Sequence, residues 1–392
     1  NGQNVTITTT GAGAEAGNIT VNGAISKTGG ARSTLSLQAD SAITINAGIG
    51  ASGGGVLDFT ANYSKTTAST FTLSGGNTIG TNGGTVTIGN SLAGGGLQLL
   101  GSINASGGNI NLTTDSLSFG ASATVASSGQ LNIKPFTDSL VIGLGTGTGT
   151  LSLPAANFST VFQPGFSLIQ VGSSNQTGAI NVNAGASDTL NFSSPLSLLT
   201  KVTTGVNGAN IINIGSLVYN GTQSRASLTE TAGGSVQQSG SISSTGTPLD
   251  VSLSGNFNNT QAFSSGGRTG WSSIILNANT SITTKGGNIT ITGIAPEANN
   301  GLIAPTPVTL GANTVLDASS TAGSSGSSVS ITGNYTGVGT APSASNSGLT
   351  GISLMAGNVI KADNAITVNA DTGAGWTFAN SPMSGVDFRG AT

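Results

Sequence analysis

Carboxylates and basic groups carry nearly all of the acid–base chemistry available to this 392-residue chain, which has 13 Asp and Glu, 10 Lys and Arg, no His and no Cys. Without His, the chain cannot form a Ser-His-Asp triad or most metal sites. Without Cys, it cannot form disulfides, thiolate redox pairs or Cys-ligated zinc sites. We therefore expect no cofactor, no metal site and no catalytic residue.

The carboxylates with the best spacing for catalysis lie near the C-terminal end. A polysaccharide lyase or hydrolase would need two or three carboxylates on one face, with Arg or Lys nearby. The closest candidates are Asp363 with Asp371, and Asp387 with Arg389. Asp363 and Asp371 fall on either side of an apolar alternation at 366–368, which is typical of solvated turn residues. A carbohydrate-active protein therefore remains an alternative interpretation.

Two further polar patterns suggest binding chemistry. Gly143, Gly145, Gly147 and Gly149 alternate with other residues as in a phosphate-binding loop, but the Lys and the following helix of such a loop are missing. This run favours a flexible turn. Thr-x-Thr pairs raise the possibility of ice binding, but they are too scattered along the sequence to predict a regular array: Thr6/Thr8, Thr85/Thr87 and Thr290/Thr292.

Composition excludes several classes of partner. Charged residues make up only 6% of the chain, the net charge is −3, and 36% of the residues are hydrophobic. Disordered chains combine low hydrophobicity with high net charge, so this chain is expected to fold. The absence of a basic cluster argues against nucleic acid as a partner. No apolar run reaches the ~18–20 residues that a membrane span needs, so no membrane insertion is expected.

Short apolar–polar alternations, bounded by Gly, Asn, Asp or Ser, recur along the whole chain. Alternation at a period of two with β-branched residues predicts half-buried strands, and the 63 Gly residues disfavour helices. The clearest alternations begin at Ile19, Leu35, Ile43, Val86, Ile110, Ile180, Ile289 and Ile366.

The strand pattern repeats. Residues 19–39 align with residues 43–61: Ile19 with Ile43, Val21 with Ile45 and Ile25 with Ile49 at a spacing of 24, and Leu35 with Leu57 at a spacing of 22. A Gly-Gly pair follows an Ile four residues later at 29–30, 53–54, 83–84, 107–108 and 286–287. A period near 24 residues leaves room for three short strands and their turns. The repeat therefore predicts an all-β fold, a right-handed parallel β-helix of roughly 15–18 coils.

This fold class gives a simple domain prediction: residues 1–392 form a single elongated β-helix. Residues 131–170, rich in Pro and Phe, are expected to form an irregular coil or a lateral flap over the core. Residues 294–307 and 336–351 are expected to form projecting loops, which is where binding residues often lie.

The repeats resemble those of filamentous haemagglutinin-like exoproteins of two-partner secretion systems. The matching residues are Gly17, Asn18, Ile19, Val21, Ile25, Gly29, Gly30, Leu35, Leu37 and Ala39. Residues 131–182 are also similar to haemagglutinin-repeat bacterial surface proteins. The resemblance implies secretion, a right-handed β-helix and a role in adhesion or in a biofilm matrix. No secretion domain, anchor or toxin tip is recognisable, which suggests an internal segment of a larger polypeptide or a shorter subunit that assembles.

The sequence thus predicts an extracellular structural or adhesive rod of a bacterial surface or secreted fibre. Its expected partners are copies of itself, joined end to end or laterally, neighbouring segments of a longer chain, and host-cell, carbohydrate or matrix surfaces. Besides the carbohydrate-active alternative, the chain could be a passive spacer segment of a giant exoprotein.

Overall fold

The computed structural model describes residues 2–9, 17–183, 185, 188–201, 212–256, 272–296, 306–320, 326–336, 350–371 and 384–388. In these ranges the chain is almost entirely β-strand. One π-helical turn spans Asn157–Val161. The abundance of Gly and of β-branched residues accounts for this bias, because both are unfavourable inside helices.

The strands are short and follow one another with few residues between them. In chain order the first nineteen are β1 (Val5–Thr8), β2 (Ile19–Val21), β3 (Ile25–Lys27), β4 (Ser33–Gln38), β5 (Ile43–Ile45), β6 (Ile49–Ala51), β7 (Leu57–Tyr63), β8 (Thr70–Leu73), β9 (Thr78–Gly80), β10 (Val86–Asn90), β11 (Gly96–Leu99), β12 (Ser102–Ser106), β13 (Ile110–Thr113), β14 (Ser116–Phe119), β15 (Val125–Ser127), β16 (Gln130–Lys134), β17 (Ile142–Leu144), β18 (Leu151–Leu153) and β19 (Leu168–Gly172). The remainder are β20 (Ile180–Val182), β21 (Thr189–Phe192), β22 (Leu196–Leu199), β23 (Ile212–Ile214), β24 (Ser216–Tyr219), β25 (Ala226–Ala232), β26 (Val236–Gln238), β27 (Ile242–Ser244), β28 (Leu249–Asn256), β29 (Ser272–Leu276), β30 (Ser281–Thr283), β31 (Ile289–Pro296), β32 (Thr306–Leu310), β33 (Val315–Asp317), β34 (Ser328–Thr336), β35 (Thr350–Leu354), β36 (Val359–Lys361), β37 (Ala365–Asp371) and β38 (Ser384–Phe388).

The chain divides into two compact units, Asn1–Gln176 with Asn191–Leu196, and Thr177–Leu190 with Ser197–Thr392. In the first unit, hydrogen-bonded neighbours follow the orders β1-β4-β7-β10-β13-β16-β19, β2-β5-β8-β11-β14 and β3-β6-β9-β12-β15. In the second, they follow β25-β28-β31-β34-β37, β20-β23-β26-β29-β32-β35-β38 and β24-β27-β30-β33-β36. The paired strands are parallel, and neighbours are three apart in the chain. The predicted fold class, a parallel β-helix, is confirmed, whereas a single elongated body stays a prediction.

We call the series that begins with β1 in the first unit and with β25 in the second the long-sheet strands. Their inward residues stack in columns, because side chains on a strand alternate between its two faces. In the first unit one such column contains Leu35, Phe59, Val86, Ile110, Leu131 and Ile169, all buried. In the second unit the equivalent column contains Leu228, Val251, Ile289 and Val329, which are also buried. Removal of this apolar surface from water stabilises the coils.

The recurrent Gly-Gly pairs form the corners that lead into the long-sheet strands. The first Gly of two pairs has a left-handed backbone, with φ of +95° at Gly83 and +96° at Gly286. The second Gly lies against the backbone of the preceding coil. A Cβ at Gly84 would lie 2.0 Å from the Leu57 carbonyl oxygen, and one at Gly287 would lie 2.1 Å from that of Leu249. The pair is therefore required by conformation at one position and by close packing at the next.

The register of the first coils corrects one detail of the sequence alignment. Ile19, Val21 and Ile25 pair with Ile43, Ile45 and Ile49 as predicted. Leu35, however, pairs with Phe59, and Ser33 pairs with Leu57. The alignment was wrong by two residues because a shift of two along a strand preserves the inward and outward faces.

Coil length varies more than a period near 24 suggests. Asn109 and Gln130, which are neighbours in adjacent coils, are 21 residues apart, whereas Asn288 and Ser328 are 40 residues apart. With one long-sheet strand per coil, this series has thirteen strands in the described residues. That number is lower than the 15–18 coils expected, because the coils of the second unit are longer.

The coil between β16 and β19 contains the predicted irregular region at 131–170. Gln130 and Leu168, which pair across it, are 38 residues apart. This coil includes β17, β18 and the π-helical turn, whose aromatic residues approach the last strands of two sheet series. Phe162 lies 5.6 Å from Phe119 of β14 and 5.3 Å from Phe158, both edge to face. Phe162 also bridges to Val125 of β15. The turn thereby covers strand edges that would otherwise be open.

The two predicted projecting loops lie mostly outside the described residues. Of 294–307, the structure describes the end of β31, at 294–296, and the start of β32, at 306–307. Of 336–351, it describes the last residue of β34 and the first two of β35.

Candidate functional site

The outward face of the long-sheet strands is the most regular polar surface in the described residues. We call it the outer face. In the second unit it has two columns that carry hydroxyl or amide groups in every coil. The columns are Thr229, Ser252, Thr290, Ser330 and Thr367, and Thr231, Ser254, Thr292, Thr332 and Asn369. All ten side chains are half-buried or exposed. Adjacent strands of a sheet are about 4.8 Å apart, so the groups form a lattice without charge.

The first unit presents a comparable column, in which amides replace hydroxyls along the chain. Its members are Thr6, Ser36, Thr60, Thr87, Asn111 and Asn132. Asn132 Nδ2 donates to Asn111 Oδ1 at 2.8 Å, and Asn111 Nδ2 donates to Thr87 Oγ1 at 3.3 Å. Such hydrogen bonds tie one coil to the next and leave part of each polar group facing water.

A third column, at the start of the long-sheet strands, caps the backbone of the following coil. Asn4 Oδ1 accepts a hydrogen bond from Thr34 N at 2.8 Å, and Asn109 Oδ1 accepts one from Gln130 N at 2.9 Å. In the second unit, Asn288 Oδ1 accepts from Ser328 N at 3.0 Å. Each side chain satisfies a backbone N–H where the chain enters the sheet from a turn.

Two Asp residues occupy the same capping column, and each of them is paired with an Arg of the preceding coil. Asp58 Oδ1 accepts from Thr85 N at 2.8 Å, and Asp250 Oδ1 accepts from Asn288 N at 2.7 Å. The guanidinium of Arg225 donates to both oxygens of Asp250, from Nε at 2.6 Å and from Nη2 at 2.5 Å. Charge on the outer face is thus neutralised in bidentate pairs.

The hydrogen bonds of the first pair shift the pKa values of both groups. The Arg32 guanidinium beside Asp58 lowers the pKa of that carboxyl below its usual value, and the carboxyl raises the pKa of Arg32. The same type of contact with Asp250 raises the pKa of Arg225. Both Arg residues therefore remain cationic and bound to their partners over the physiological pH range.

The sequence did not reveal the outer face as a lattice, although it contained the Thr-x-Thr pairs. The three pairs noted in the sequence all lie on outward positions of long-sheet strands, and Thr87 and Thr290 belong to the hydroxyl and amide columns. Between them, Ser and Asn occupy the equivalent positions. A search for Thr therefore misses the regularity, and an alternation in which Ser, Thr and Asn count as one class would find it.

The structure assigns a turn role to one of the four candidate catalytic residues. Asp363 Oδ2 accepts a hydrogen bond from Ser320 N at 2.9 Å, and the Asp363 N–H donates to Ser327 Oγ at 3.3 Å. Asp371 is the last residue of β37, opposite Asn334, and not a turn residue as expected. Asp387 belongs to β38, opposite Ser353, in a different sheet series. Arg389 lies outside the described residues.

The glycine-rich run 143–149 forms a tight turn between β17 and β18. A Cβ at Gly143 would lie 2.2 Å from the Gly147 carbonyl oxygen, and one at Gly149 would lie 2.2 Å from Gly143 N. The backbone of this run packs against itself, so its glycines are required by the turn.

Searches for other sites in the described residues gave two negative findings. No three or more His, Cys, Asp or Glu side chains cluster there in a way that could hold a metal ion. No described helix has the length and apolar character that crossing a membrane requires.

The architecture and the outer face define a parallel β-helix protein whose outward columns carry hydroxyl and amide groups. Comparison with known proteins found no matching family model, no matching curated protein and no matching solved structure.

Proposed function

We propose that the protein is a structural or adhesive component of a bacterial surface or secreted fibre and acts outside the cell. The observation that carries this proposal is the division of each long-sheet strand into an apolar inward column and an uncharged polar outward column. In β31, for example, Ile289 and Ile291 are buried, whereas Thr290 is exposed. The resemblance of the repeats to filamentous haemagglutinin-like exoproteins supports the same function.

The inward columns suit a mechanical role. Each coil adds a row of backbone hydrogen bonds and a layer of apolar side chains to the coil before it, so stability accumulates with the number of coils. Tyr63 and Phe71, both fully buried, pack within the first unit with ring centroids 6.1 Å apart. A stack of this kind resists deformation without disulfides or metal ions, which this sequence lacks Cys and His to provide.

The outer face suits multivalent, weak contacts with carbohydrate or matrix surfaces. Its hydroxyl and amide groups both donate and accept hydrogen bonds, and they repeat in every coil. Many weak contacts along one face give a high combined affinity even where each contact is weak. Because the columns carry no charge, adhesion through them should change little with ionic strength.

Adhesion can be tested by retention of the purified chain on insoluble cellulose, on chitin and on matrix-coated beads. The test variant is Thr290→Lys with Ser330→Lys, which places two charges on the outer face. The matched control is Ser243→Lys with Thr283→Lys, at outward positions that pair in the β27–β30 series. We expect the test variant to lose at least about tenfold in retention on one of these surfaces, while the control keeps it. Equal retention of the two variants would count against the outer face as the contact surface.

Self-association is the second part of the proposal. Val5 and Ile7 of β1 are 50% and 42% exposed, whereas their register partners Leu35 and Leu37 are 5% and 0% exposed. In the described residues, β1 pairs with β4 and with no other strand. A further coil, from the same polypeptide or from a second copy, would bury these side chains and pair with the open edge.

Electron microscopy and sedimentation of the purified chain test this association. We expect concentration-dependent oligomers that Val5→Lys with Ile7→Lys abolishes. The control, Thr6→Lys, changes an outward residue of the same strand and should leave association intact. If the wild-type chain stays monomeric at high concentration, self-association of this chain is wrong, and adhesion through the outer face is judged separately by the retention assay.

A further inference from the structure

Strand β25 carries a carboxyl group on its inward face. Alternation along this strand buries Ala226, Leu228, Glu230 and Ala232, and Glu230 is 0% exposed. Its register partner in β28 is Leu253, which is also fully buried. Because neighbouring residues of a strand point to opposite faces, the register that buries Leu228 also places Glu230 in the core.

The Glu230 carboxyl is unpaired. Neither of its oxygens has a hydrogen-bond partner among the residues that the structure describes. Asp115, the other buried carboxyl among these residues, shows the usual arrangement. Its oxygens accept hydrogen bonds from Gly94 N, Thr137 N and Thr137 Oγ1, each at 2.8 Å. Buried polar groups in proteins are normally satisfied in this way, so Glu230 is an exception that needs an explanation.

The elements around β25 bring no charged side chain to the inward face of this strand within the described part of the chain. The inward residues of its neighbours are Leu198 of β22, Ile212 and Ile214 of β23, Val236 and Gln238 of β26, and Leu249, Val251 and Leu253 of β28. Gln238 is the polar member of this group, and its Nε2 donates to the carbonyl oxygens of Gly215 and Gly240. The Arg225–Asp250 pair flanks β25 but lies at half-exposed positions, where the two groups bind each other.

We infer that Glu230 makes the coil containing β25 and β28 an acid-stabilised element, which holds this carboxyl in its protonated form and opens when the proton is lost. A neutral carboxyl fits an apolar site far better than a carboxylate, which would need a counter-charge or several hydrogen-bond donors. Opening would hydrate the carboxylate and expose the apolar column beside it. This inference rests on the fold of the second unit and is independent of the proposed function.

The direction of the pH dependence follows from burial, which raises the pKa of Glu230 well above its ordinary value of 4.5. Below pH 4.5 both the folded and the open coil hold the proton, and the full stability is present. As the pH rises above 4.5, the open coil loses its proton first, and stability falls until the pH passes the pKa of the folded state. Asp58, whose pKa is lowered, acts below its ordinary value of 3.8 and in the other unit, so the two effects are separable.

Amide hydrogen exchange followed by mass spectrometry tests the inference, with rates corrected for the intrinsic pH dependence of exchange. Between about pH 5 and about pH 8, we expect protection of the amides of β25 and β28 to fall by up to about tenfold per pH unit. In Glu230→Gln and Glu230→Leu this fall should disappear. Leu253→Gln is the matched control, because it places a polar group that does not titrate at the register partner of Glu230. It should lower protection equally at all pH values.

Two outcomes would overturn the inference. One is wild-type protection of β25 that stays constant over this pH range. The other is a fall in protection that persists in Glu230→Gln and in Glu230→Leu, which would assign the titration to a different group. Use of two substitutions keeps the test decisive if one of the variants fails to fold.

Discussion

Arg32 and Asp58 lie in adjacent coils and form a bidentate ion pair. Arg32 Nε donates to Asp58 Oδ2 at 2.7 Å, and Arg32 Nη2 donates to Asp58 Oδ1 at 2.6 Å. Asp58 Oδ1 also accepts from Thr85 N in the next coil, so one carboxylate links three successive coils. The Arg225–Asp250 pair repeats this arrangement in the second unit. The few charges of the chain are thus used where they connect coils.

Replacement of Asp58 should cost more stability than replacement of Arg32. An exposed ion pair contributes about 0.2–1 kcal/mol, and Arg32→Ala removes only this. Asp58→Ala also leaves Thr85 N–H without its acceptor, which adds about 1 kcal/mol. Urea unfolding of the two variants would measure the difference, with Thr60→Ala, an outward neighbour of Asp58 in β7, as the control. Equal losses for Asp58→Ala and Arg32→Ala would show that the backbone cap contributes little.

Acid should weaken the first unit through Asp58. Because Arg32 lowers the pKa of this carboxyl, its contribution to stability is present above the ordinary value of 3.8 and is lost as the pH falls through the lower folded-state value. Unfolding of the wild-type chain and of Asp58→Asn, measured from neutral pH down to about pH 2, would reveal this term. We expect the Asn variant to be less stable at neutral pH and to lose less stability in acid. Parallel curves for the two proteins would contradict the assignment.

The sequence was sufficient to predict the fold class because the inward columns repeat visibly. Ile19, Val21 and Ile25 recur 24 residues later with identical or similar side chains, and the structure pairs them in register. The Gly-Gly corners were visible for the same reason. The sequence of Leu35 and Leu57, in contrast, gave the wrong partner, because either of two registers keeps both residues inside.

The outer face and its links between coils could not be predicted from local sequence. Arg32 and Asp58 are 26 residues apart, and Arg225 and Asp250 are 25 apart, so their contact depends on the length of each coil. Coil length varies from 21 to 40 residues, and one error in the count separates every pair of this kind. Glu230 was missed because its neighbours Thr229 and Thr231 suggest a polar stretch, whereas the register turns it inward.

Asp363 should act in a turn and not in catalysis. Asp363→Ala removes the acceptor of the Ser320 N–H and should lower stability by about 1 kcal/mol. Asp317→Ala is a matched control, because Asp317 Oδ1 accepts from Ser319 N at 3.0 Å in the same unit. We expect wild type and both variants to release no reducing ends or unsaturated products from neutral or acidic polysaccharides. Turnover by the wild type that Asp363→Ala alone abolishes would favour the carbohydrate-active alternative.

Tyr63 should ionise only in strongly alkaline solution. Its hydroxyl donates to Thr114 Oγ1 at 3.3 Å inside the first unit, and burial raises the pKa of Tyr63 to about 12. Its stabilising contribution is therefore complete below the ordinary value of 10.0 and is lost as the pH rises towards about 12. Ultraviolet absorbance titration of the wild type and of Tyr63→Phe should show a late phase in the wild type only. A late phase that survives in the Phe variant would assign it to another tyrosine.

Glycines on the inward side of the second unit should tolerate no side chain, even though their backbone conformation is ordinary. Gly255, Gly293 and Gly333 pair with one another in consecutive long-sheet strands. A Cβ at Gly293 would lie 2.1 Å from the carbonyl oxygen of Pro307, where β32 passes beneath the sheet. Separation of the two strands to relieve this clash would disturb the adjacent apolar layer, at a cost of about 1–3 kcal/mol.

Gly293→Ala should therefore lower the midpoint of thermal unfolding, and Gly246→Ala is the control, because a Cβ at Gly246 meets no atom within 4 Å. The control should be neutral or slightly stabilising, since Ala restricts the unfolded chain more than Gly does. The comparison separates steric packing from chain entropy, because the entropy term is the same in both variants. If Gly293→Ala unfolded at the same temperature as Gly246→Ala, the close approach of β31 and β32 would not constrain the coil.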